Sequence, residues 1–462
     1  MSCYFRQNSD TEIAIPRYFE SSGVTYYTVR VRVVQVEWLV ERRYKDFDEL
    51  NEKLVEEIAI SKKLLPPKKI VGNKNPSFLE ERRQKLEKYL RELMVFFRIQ
   101  IPRALAEFLE FNKYDIIYLL QDLATLFIES GEALLSNRKQ FHFSALQVYA
   151  ISERLNLPCP PENIENRGKF DFSHVLDFCT QLEILKVTPV KGHDSFASDY
   201  NAVDVPIGSS NIIPKKLKFN LNAFRNIHTL KFYALPPENI LDIGLLKPNL
   251  QKICVHNTTT TSINQILLCD NVHKENVIVN SPTKADIAVQ GNLLTQIDES
   301  VRLVPQLRTL VLEQNRLKNI RNLAELPHLQ TLTLSVNLIS DCINWHLELG
   351  NLITLNLAQN KLKSVKGLRK LLSLVNLDLS CNLIEDIEEV DNIACLPLLE
   401  TLRLTGNPLA SIVDYRSRVL ARFHDRASEI FLDSEKGTHK ELDTALVLSA
   451  LHVSFLRKKS QQ

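Results

Sequence analysis

From Leu307 to Leu409 the chain sets apolar positions in one frame, Leu-x-x-Leu-x-Leu-x-x-Asn, five times over. The copies begin at Leu307, Leu329, Leu352, Leu374 and Leu399. Their asparagines, Asn315, Asn337, Asn360, Asn382 and Asn407, are spaced by 22, 23, 22 and 25 residues. Leucines two apart share one face of an extended strand, so each Leu-x-Leu predicts a short strand with its leucines inward. The asparagine predicts a turn, its amide bonding to backbone groups that the turn leaves unpaired. One such unit cannot bury its own apolar face, so neighbours must stack. A single Leu-x-x-Leu fits an amphipathic helix equally well; in-register copies with an asparagine ladder do not. A degenerate copy precedes them, with Ile287, Val289 and Asn292 but Lys284 in place of the first leucine. Weaker units lie at Ile227, Leu230, Phe232 and at Leu250, Ile253, Val255. Asn257 to Ser262, polar and β-branched, reads as a surface excursion. Between strands, apolar residues such as Ile320, Leu323, Leu326 and Val365, Leu368, Leu371 predict short helical turns.

Toward the N-terminus the pattern changes. Glu12 to Glu20 and Tyr26 to Val40 alternate and are rich in β-branched and aromatic residues, predicting strands, with a turn at Ser22-Gly23. A third strand should end near Glu41. Arg42-Arg43-Tyr44-Lys45-Asp46-Phe47 then leads into a helix through Leu50, Leu54 and Ile58. Leu64-Leu65-Pro66-Pro67-Lys68-Lys69-Ile70 must be a loop, because two prolines end any helix. A helix follows, with Ser77 as its expected N-cap, through Leu79, Leu86, Leu90 and Leu93. A short one spans about Pro102 to Phe111. Beyond it, Tyr114–Leu135, Ser144–Leu155 and Phe172–Leu185 have helical periods, the first broadly apolar and so expected to dock on a neighbour. Thr188 to Ile213 has a loop's composition. Lys440 to Leu456 predicts an amphipathic C-terminal helix before the basic Arg457-Lys458-Lys459.

A length of 462 residues implies two or more domains. The expected division is residues 10–113, a helical connector at 114–215, the array with a C-terminal cap at 216–433 (clear repeats 284–410), and a helix and basic tail at 434–462. A net charge of +2 gives no whole-chain argument for nucleic acid. Twelve glycines are few for phosphate-binding loops. Eight cysteines never form Cys-x-x-Cys, and with no secretory signal they read as reduced thiols. No apolar run reaches the roughly 18 residues a bilayer span needs, so any membrane contact is expected to be peripheral.

Charge matters locally. Residues 61–92 hold ten basic against four acidic side chains beside the proline loop. Arginine forks and lysine ammoniums suit phosphate oxygens, and an anionic leaflet attracts such a patch. A solvated helix face is the plainer alternative. Ile70, Val71 and Phe78 are candidates for insertion into a bilayer, or for packing under the loop. No nucleotide-binding, zinc-protease or nucleophile-elbow motif occurs. His193-Asp194 lacks a third partner, and no histidine pairs with cysteine at metal spacing. No catalytic residue, metal or cofactor is therefore expected, and the chain reads as a non-enzyme. On the repeat strands, the positions between leucines form columns. One is Thr309, Thr331, Thr354, Asn376 and Thr401; another is Val311, Thr333, Asn356, Asp378 and Arg403; a third is Glu313, Ser335, Ala358, Ser380 and Thr405. Small and mostly polar, they leave room for a partner chain, although crowding by curvature also selects small residues.

A period near 22 with this frame is the signature of leucine-rich repeats. Asp414-Tyr415-Arg416 and Phe431-Leu432-Asp433 resemble the C-terminal cap of that subtype. The N-terminal order — three strands, Arg-Arg-Tyr-x-x-Phe, helix, Pro-Pro-Lys loop, Glu-Arg-Arg-x-x-Leu-x-x-Tyr-Leu on a helix — resembles the phox-homology (PX) domain. The resemblance implies an α+β PX domain (a three-stranded antiparallel sheet with helices), a helical connector, and a leucine-rich repeat α/β solenoid with a C-terminal cap. It also implies binding of phosphatidylinositol 3-phosphate. Arg43 would hold the 3-phosphate, Tyr44 would pack on the inositol ring, Lys68 would meet the 1-phosphate, and Arg82 would bond to the 4- and 5-hydroxyls. The adjacent prolines depart from the longer Pro-x-x-Pro loop of many PX domains, which implies modest affinity for a single copy, raised by avidity or a partner. The combination resembles the N-terminal half of the nischarin family of scaffolds. That implies a cytoplasmic adaptor, peripheral on early or recycling endosomes or the plasma membrane, whose partners include the α5 integrin tail, p21-activated kinase and Rac or Rab GTPases in cell migration. Longer members continue past the repeats, so a short form is one expectation. The alternative is a leucine-rich repeat regulatory subunit or effector of a phosphatase or kinase, with no obligatory lipid binding.

Overall fold

The computed structural model describes residues 11–58, 60–68, 75–97, 101–136, 138–156, 172–189, 217–241, 249–267 and 285–459. Ile70, Val71, His193 and Asp194 lie outside them. The chain divides into two compact units, one ending at Asn226 and the other beginning at Ile227.

In the first unit, β1 (Thr11–Ser21), β2 (Val24–Val33) and β3 (Val36–Arg43) form an antiparallel sheet in the order β1-β2-β3. Ser22 and Gly23 turn the first hairpin with φ of 51° and 77°, the left-handed pair that matches strand twist. Alternate residues Tyr27, Val29 and Val31 of β2 and Trp38 and Val40 of β3 are buried. Helix α1 (Tyr44–Ile58) covers them with Phe47, Leu50 and Leu54, and α2 (Pro76–Phe96) with Leu86, Tyr89, Leu90 and Leu93. Asn75, not Ser77, caps α2: its side chain accepts from the Ser77 amide at 3.1 Å, and Pro76 takes the first helical position, where its missing N–H costs nothing. After α3 (Arg103–Phe108), the Trp38 indole donates to the Leu109 carbonyl at 2.8 Å and fixes the end of the domain to its sheet.

The connector carries strands as well as helices. The short α4 (Phe111–Tyr114) and α5 (Ile116–Ser136) lead to β4 (Gln140–Ser144), α6 (Ala145–Asn156), α7 (Ser173–Gln181) and β5 (Ile184–Thr188). Strands β4 and β5 pair in parallel, Phe141 opposite Leu185. The helical period expected over Phe172–Leu185 therefore stops early. Leu182 turns extended with ψ 138°, and Ile184–Thr188 alternates with Leu185 and Val187 buried, the period of a strand. Phe127 stacks on Phe178 at 3.8 Å between ring centres, with Phe143 beside them, so this segment has its own core.

The second unit is the repeat array. Parallel strands follow at Thr229–Tyr233, Lys252–His256, Ala285–Gln290, Leu307–Val311, Thr331–Thr333, Thr354–Asn356, Asn376–Asp378, Thr401–Arg403 and Phe431–Leu432. Leu310, Leu332, Leu355, Leu377 and Leu402 stand in register and are buried. The ladder asparagines are buried too, and each reaches back into the preceding repeat. Asn360 Nδ2 donates to the Leu334 carbonyl at 3.0 Å, while its Oδ1 accepts from the Ile339 amide at 3.1 Å. Asn337, Asn382 and Asn407 repeat this pattern. Short 3₁₀ turns such as Trp345–Leu347 and Lys366–Leu368 make the return limbs opposite the strands.

Asn257–Ser262 is not a surface excursion. Thr258 and Thr260 are buried, and their amides donate to Asn292 Oδ1 at 2.8 and 3.3 Å, so the threonines occupy the turn of an irregular early repeat. At the other end, Asp433 closes the stack. Its Oδ1 accepts from the Leu404 and Thr405 amides at 2.8 and 3.2 Å, and its Oδ2 from the Tyr415 hydroxyl at 2.9 Å. Arg416 donates to the Leu432 carbonyl at 2.8 Å and pairs with Glu441 at 2.7 Å, joining the cap to the helix His439–Lys459.

Candidate functional site

The junction of β3 and α1 and the start of α2 converge on one arginine. Arg82 lies in the second turn of α2 and is buried, with 7 % of its surface exposed. Its guanidinium carbon is 4.4 Å from the centre of the Tyr44 ring and 4.3 Å from that of Phe78, so the cation is held between two aromatic rings. Its Nη2 is buried and has no hydrogen-bond partner among the described residues. Burial pushes the Tyr27 phenol up, opposed by the Arg82 charge and by the guanidinium's approach to the phenol oxygen, an approach that falls short of hydrogen-bond geometry.

The neighbouring arginine is used differently. Arg83 pairs with Glu80 at 2.7 Å and Glu87 at 3.4 Å and donates to the Ile15 carbonyl, bolting α2 to β1. Successive residues on a helix point about 100° apart, which is why adjacent arginines meet different surroundings.

Tyr44 links Arg82 to the proline loop. Its hydroxyl donates to the Pro66 carbonyl at 2.6 Å and ties the strand–helix junction to the loop two residues before Lys68, which is exposed. Burial, with Asp48 nearby, pushes the Tyr44 phenol up, so it stays a proton donor at neutral pH. Arg43 is partly exposed. Its Nη2 pairs with Asp46 at 3.0 Å, and its amide donates to the same carboxylate at 2.7 Å. The guanidinium's hydrogen bond to Asp46, then the Asp46 charge, raises the Arg43 pKa. The acid thus caps α1 and aims the arginine fork.

Two contributors were not assigned to the site from sequence, though both had signals. Phe78 is half-buried and serves as the second platform for Arg82; the two sit four residues apart on one helix face. Asp46 stands three residues after the helix cap, the position from which an acid reaches back to the cap amide.

The expected columns of the array line up. Thr309, Thr331, Thr354, Asn376 and Thr401 are register partners, as are Val311, Thr333, Asn356, Asp378 and Arg403. Several polar members are tied within the face. Asn376 donates to the Thr354 hydroxyl at 3.2 Å, Asn356 accepts from the Ala358 amide at 2.9 Å, and Arg403 approaches Asp378 at 3.5 Å. The face is therefore preorganised rather than a set of loose side chains. Among the described residues no helix is long and apolar enough to cross a membrane, and no three His, Cys, Asp or Glu gather as a metal site.

These features define a chain of two binding modules. Residues 32–112 match the PX-domain family model, and residues 350–392 match that for two copies of leucine-rich repeats. The protein has an N-terminal PX domain followed by a leucine-rich repeat region. A PX domain-containing protein kinase-like protein of Rattus norvegicus is 38% identical over 97 residues, covering 20% of this chain and 16% of that protein. Sorting nexin-16 of Homo sapiens is 38% identical over 92 residues, 20% of this chain and 27% of that protein. A designed CISK-PX domain of known structure shares 30% identity over 21% of this chain and 96% of its own, with a TM-score of 0.19. The chain thus spans less than a third of either relative, and the likeness to them lies in about a fifth of its own length.

Proposed function

We propose that the protein is a non-catalytic, membrane-associated scaffold. Its PX domain binds phosphatidylinositol 3-phosphate, and the strand face of its repeats binds a protein. The observation that carries this reading is Arg82: a buried cation between two rings, one nitrogen without a partner among the described residues. A buried unpaired charge is costly, and hydroxyl or phosphate oxygens of a headgroup would satisfy it with charge-assisted bonds. Arg43, aimed by Asp46, and exposed Lys68 would take the phosphates, and Tyr44 would face the ring. The sorting-nexin relative and the nischarin-like order of modules support an endosomal location. On the same resemblance, the partners of the array are an integrin tail, p21-activated kinase or Rac and Rab GTPases.

The test is co-sedimentation of the full chain with vesicles carrying singly or multiply phosphorylated phosphoinositides, at about 0.15 M salt to screen nonspecific attraction. Wild type should prefer the 3-phosphate lipid. Arg43→Ala and Arg82→Ala should each weaken binding by about tenfold or more, the loss of charge-assisted contacts. Arg43 is partly exposed, so its variant separates lost binding from lost folding. Binding that ignores the headgroup, or survives both substitutions, would reduce the site to a basic patch. The repeats would then be the main functional surface.

A further inference from the structure

Two neighbouring return limbs of the array carry opposite charge. The limb after Asn360 holds Lys361, Lys363, Lys366, Arg369 and Lys370, and no acid between residues 361 and 370. All five are exposed, and none has an ion-pair partner among the described residues. The limb after Asn382 holds Glu385, Asp386, Glu388, Glu389 and Asp391, and no base between residues 383 and 391. The limbs are packed side by side, the Leu383 amide donating to the Leu362 carbonyl at 2.9 Å.

The two bands nevertheless do not neutralise each other by contact. Glu389 turns inward to the Ser364 hydroxyl and Val365 amide, at 2.9 and 2.8 Å. Glu388 and Asp391 approach Arg422 on the cap side at 3.6 and 2.8 Å. Glu385 and Asp386 are exposed with no ion pair among the described residues. Leu372 and Leu398, 57% and 54% exposed, stand at the ends of the two limbs. Single exposed leucines are ordinary, but here they border both charged bands.

A basic band beside an acidic one is its own complement after a half-turn, the requirement of a two-fold interface, and Glu385 and Asp386 are the acids left to make it. Other occupants fit less well. A flat anionic membrane or a nucleic acid would meet the acidic limb as well as the basic one, and a purely acidic peptide would use only half of the surface. We propose that these limbs form a two-fold interface with a second copy of this chain. Lys363 and Lys366 of each copy face Glu385 and Asp386 of the other, with Leu372 and Leu398 near the axis.

Sedimentation velocity of the full chain tests this, across about 1–100 µM and at about 0.05 and 0.5 M salt. The expected result is a dimer at low salt whose dissociation constant rises by about tenfold or more at high salt, as ion pairs are screened. Lys363→Glu with Lys366→Glu should give a monomer, and so should Glu385→Lys with Asp386→Lys. Mixed in equal amounts, the two variants become complementary at both contacts and should dimerise again, a result that misfolded chains could not give. A wild type that stays monomeric at low salt, a dimer indifferent to both reversals, or a mixture that remains monomeric overturns the interface. So does a monomer that co-sediments with phosphatidylserine vesicles through Lys363 and Lys366, which would assign the basic limb to lipid.

Discussion

Asp298 sits where the early and regular repeats meet, and its carboxylate gathers donors from both sides. It accepts from the Ile263 amide at 2.7 Å, the Ser262 hydroxyl at 2.7 Å and the Ser300 amide at 3.0 Å. Burial alone would push its pKa up; the bonds from Ser300, Ser262 and Asn264 outweigh it and hold the carboxyl below its ordinary 3.8. A carboxyl with a depressed folded pKa adds stability at pH values above the unfolded value. That contribution is lost as pH falls below about 3.8 and through the lower folded pKa. Asp298→Ala should therefore cost about 1–2 kcal/mol at pH 7, the usual loss for a capping side chain. The gap between variant and wild type in denaturant midpoints should narrow below pH 3.8. A gap that stays constant in acid would mean that the charge is irrelevant there. At this scale the sequence is a partial guide: the resemblance to PX domains singled out Arg43, Tyr44, Lys68 and Arg82 as the candidates for a headgroup site. It could not say that Arg82 would be enclosed by Phe78 while Arg83 turned to Glu80, because that depends on how α2 rolls against the sheet.

At the scale of elements, legibility followed the number of times a rule was repeated. The regular strands and their asparagine turns were readable because five copies share one frame. Where a pattern occurred once, neighbouring rules competed. Leu182 and Leu185 fit a helical period, yet Ile184–Thr188 became a strand because it could pair with β4. Thr258 and Thr260 looked like surface residues by composition but were recruited by Asn292. Close packing of return limbs was equally hidden. A Cβ on Gly367 would lie 1.6 Å from the Cys342 carbonyl oxygen and 2.4 Å from its carbon, both backbone atoms. Gly367→Ala should therefore force the limbs apart and destabilise the array by about 1–3 kcal/mol, as overpacking does. The measurement is equilibrium denaturation followed by the fluorescence of Trp345, buried on the adjoining limb, with Trp38 replaced by Phe. An unchanged midpoint would show that the limbs separate without cost.

For the molecule as a whole, the array depends on the half-buried Asp433 of its cap. Asp433 satisfies two amides of the final regular repeat and the Tyr415 hydroxyl, so its loss should be felt beyond the cap. In a stack held by nearest-neighbour interfaces, opening one end lowers the barrier for the next unit. Asp433→Ala should speed hydrogen exchange first in Thr401–Arg403 and then progressively toward Thr331–Thr333, whereas Asp433→Asn, which keeps an acceptor and tolerates the left-handed φ of 54°, should do so less. Protection lost evenly across all strands would argue against end-opening. The direction of the asparagine ladder has a consequence for how the chain is made. Every rung points backward: Asn337 secures Leu312 and Leu317, Asn360 secures Leu334 and Ile339, Asn382 secures Leu357 and Leu362. The repeats overlap like roof tiles laid in the order of translation, each holding down the one before it. While the chain emerges from the ribosome, the newest tile is always the loose one, and the roof is watertight only when Asp433 sets the ridge.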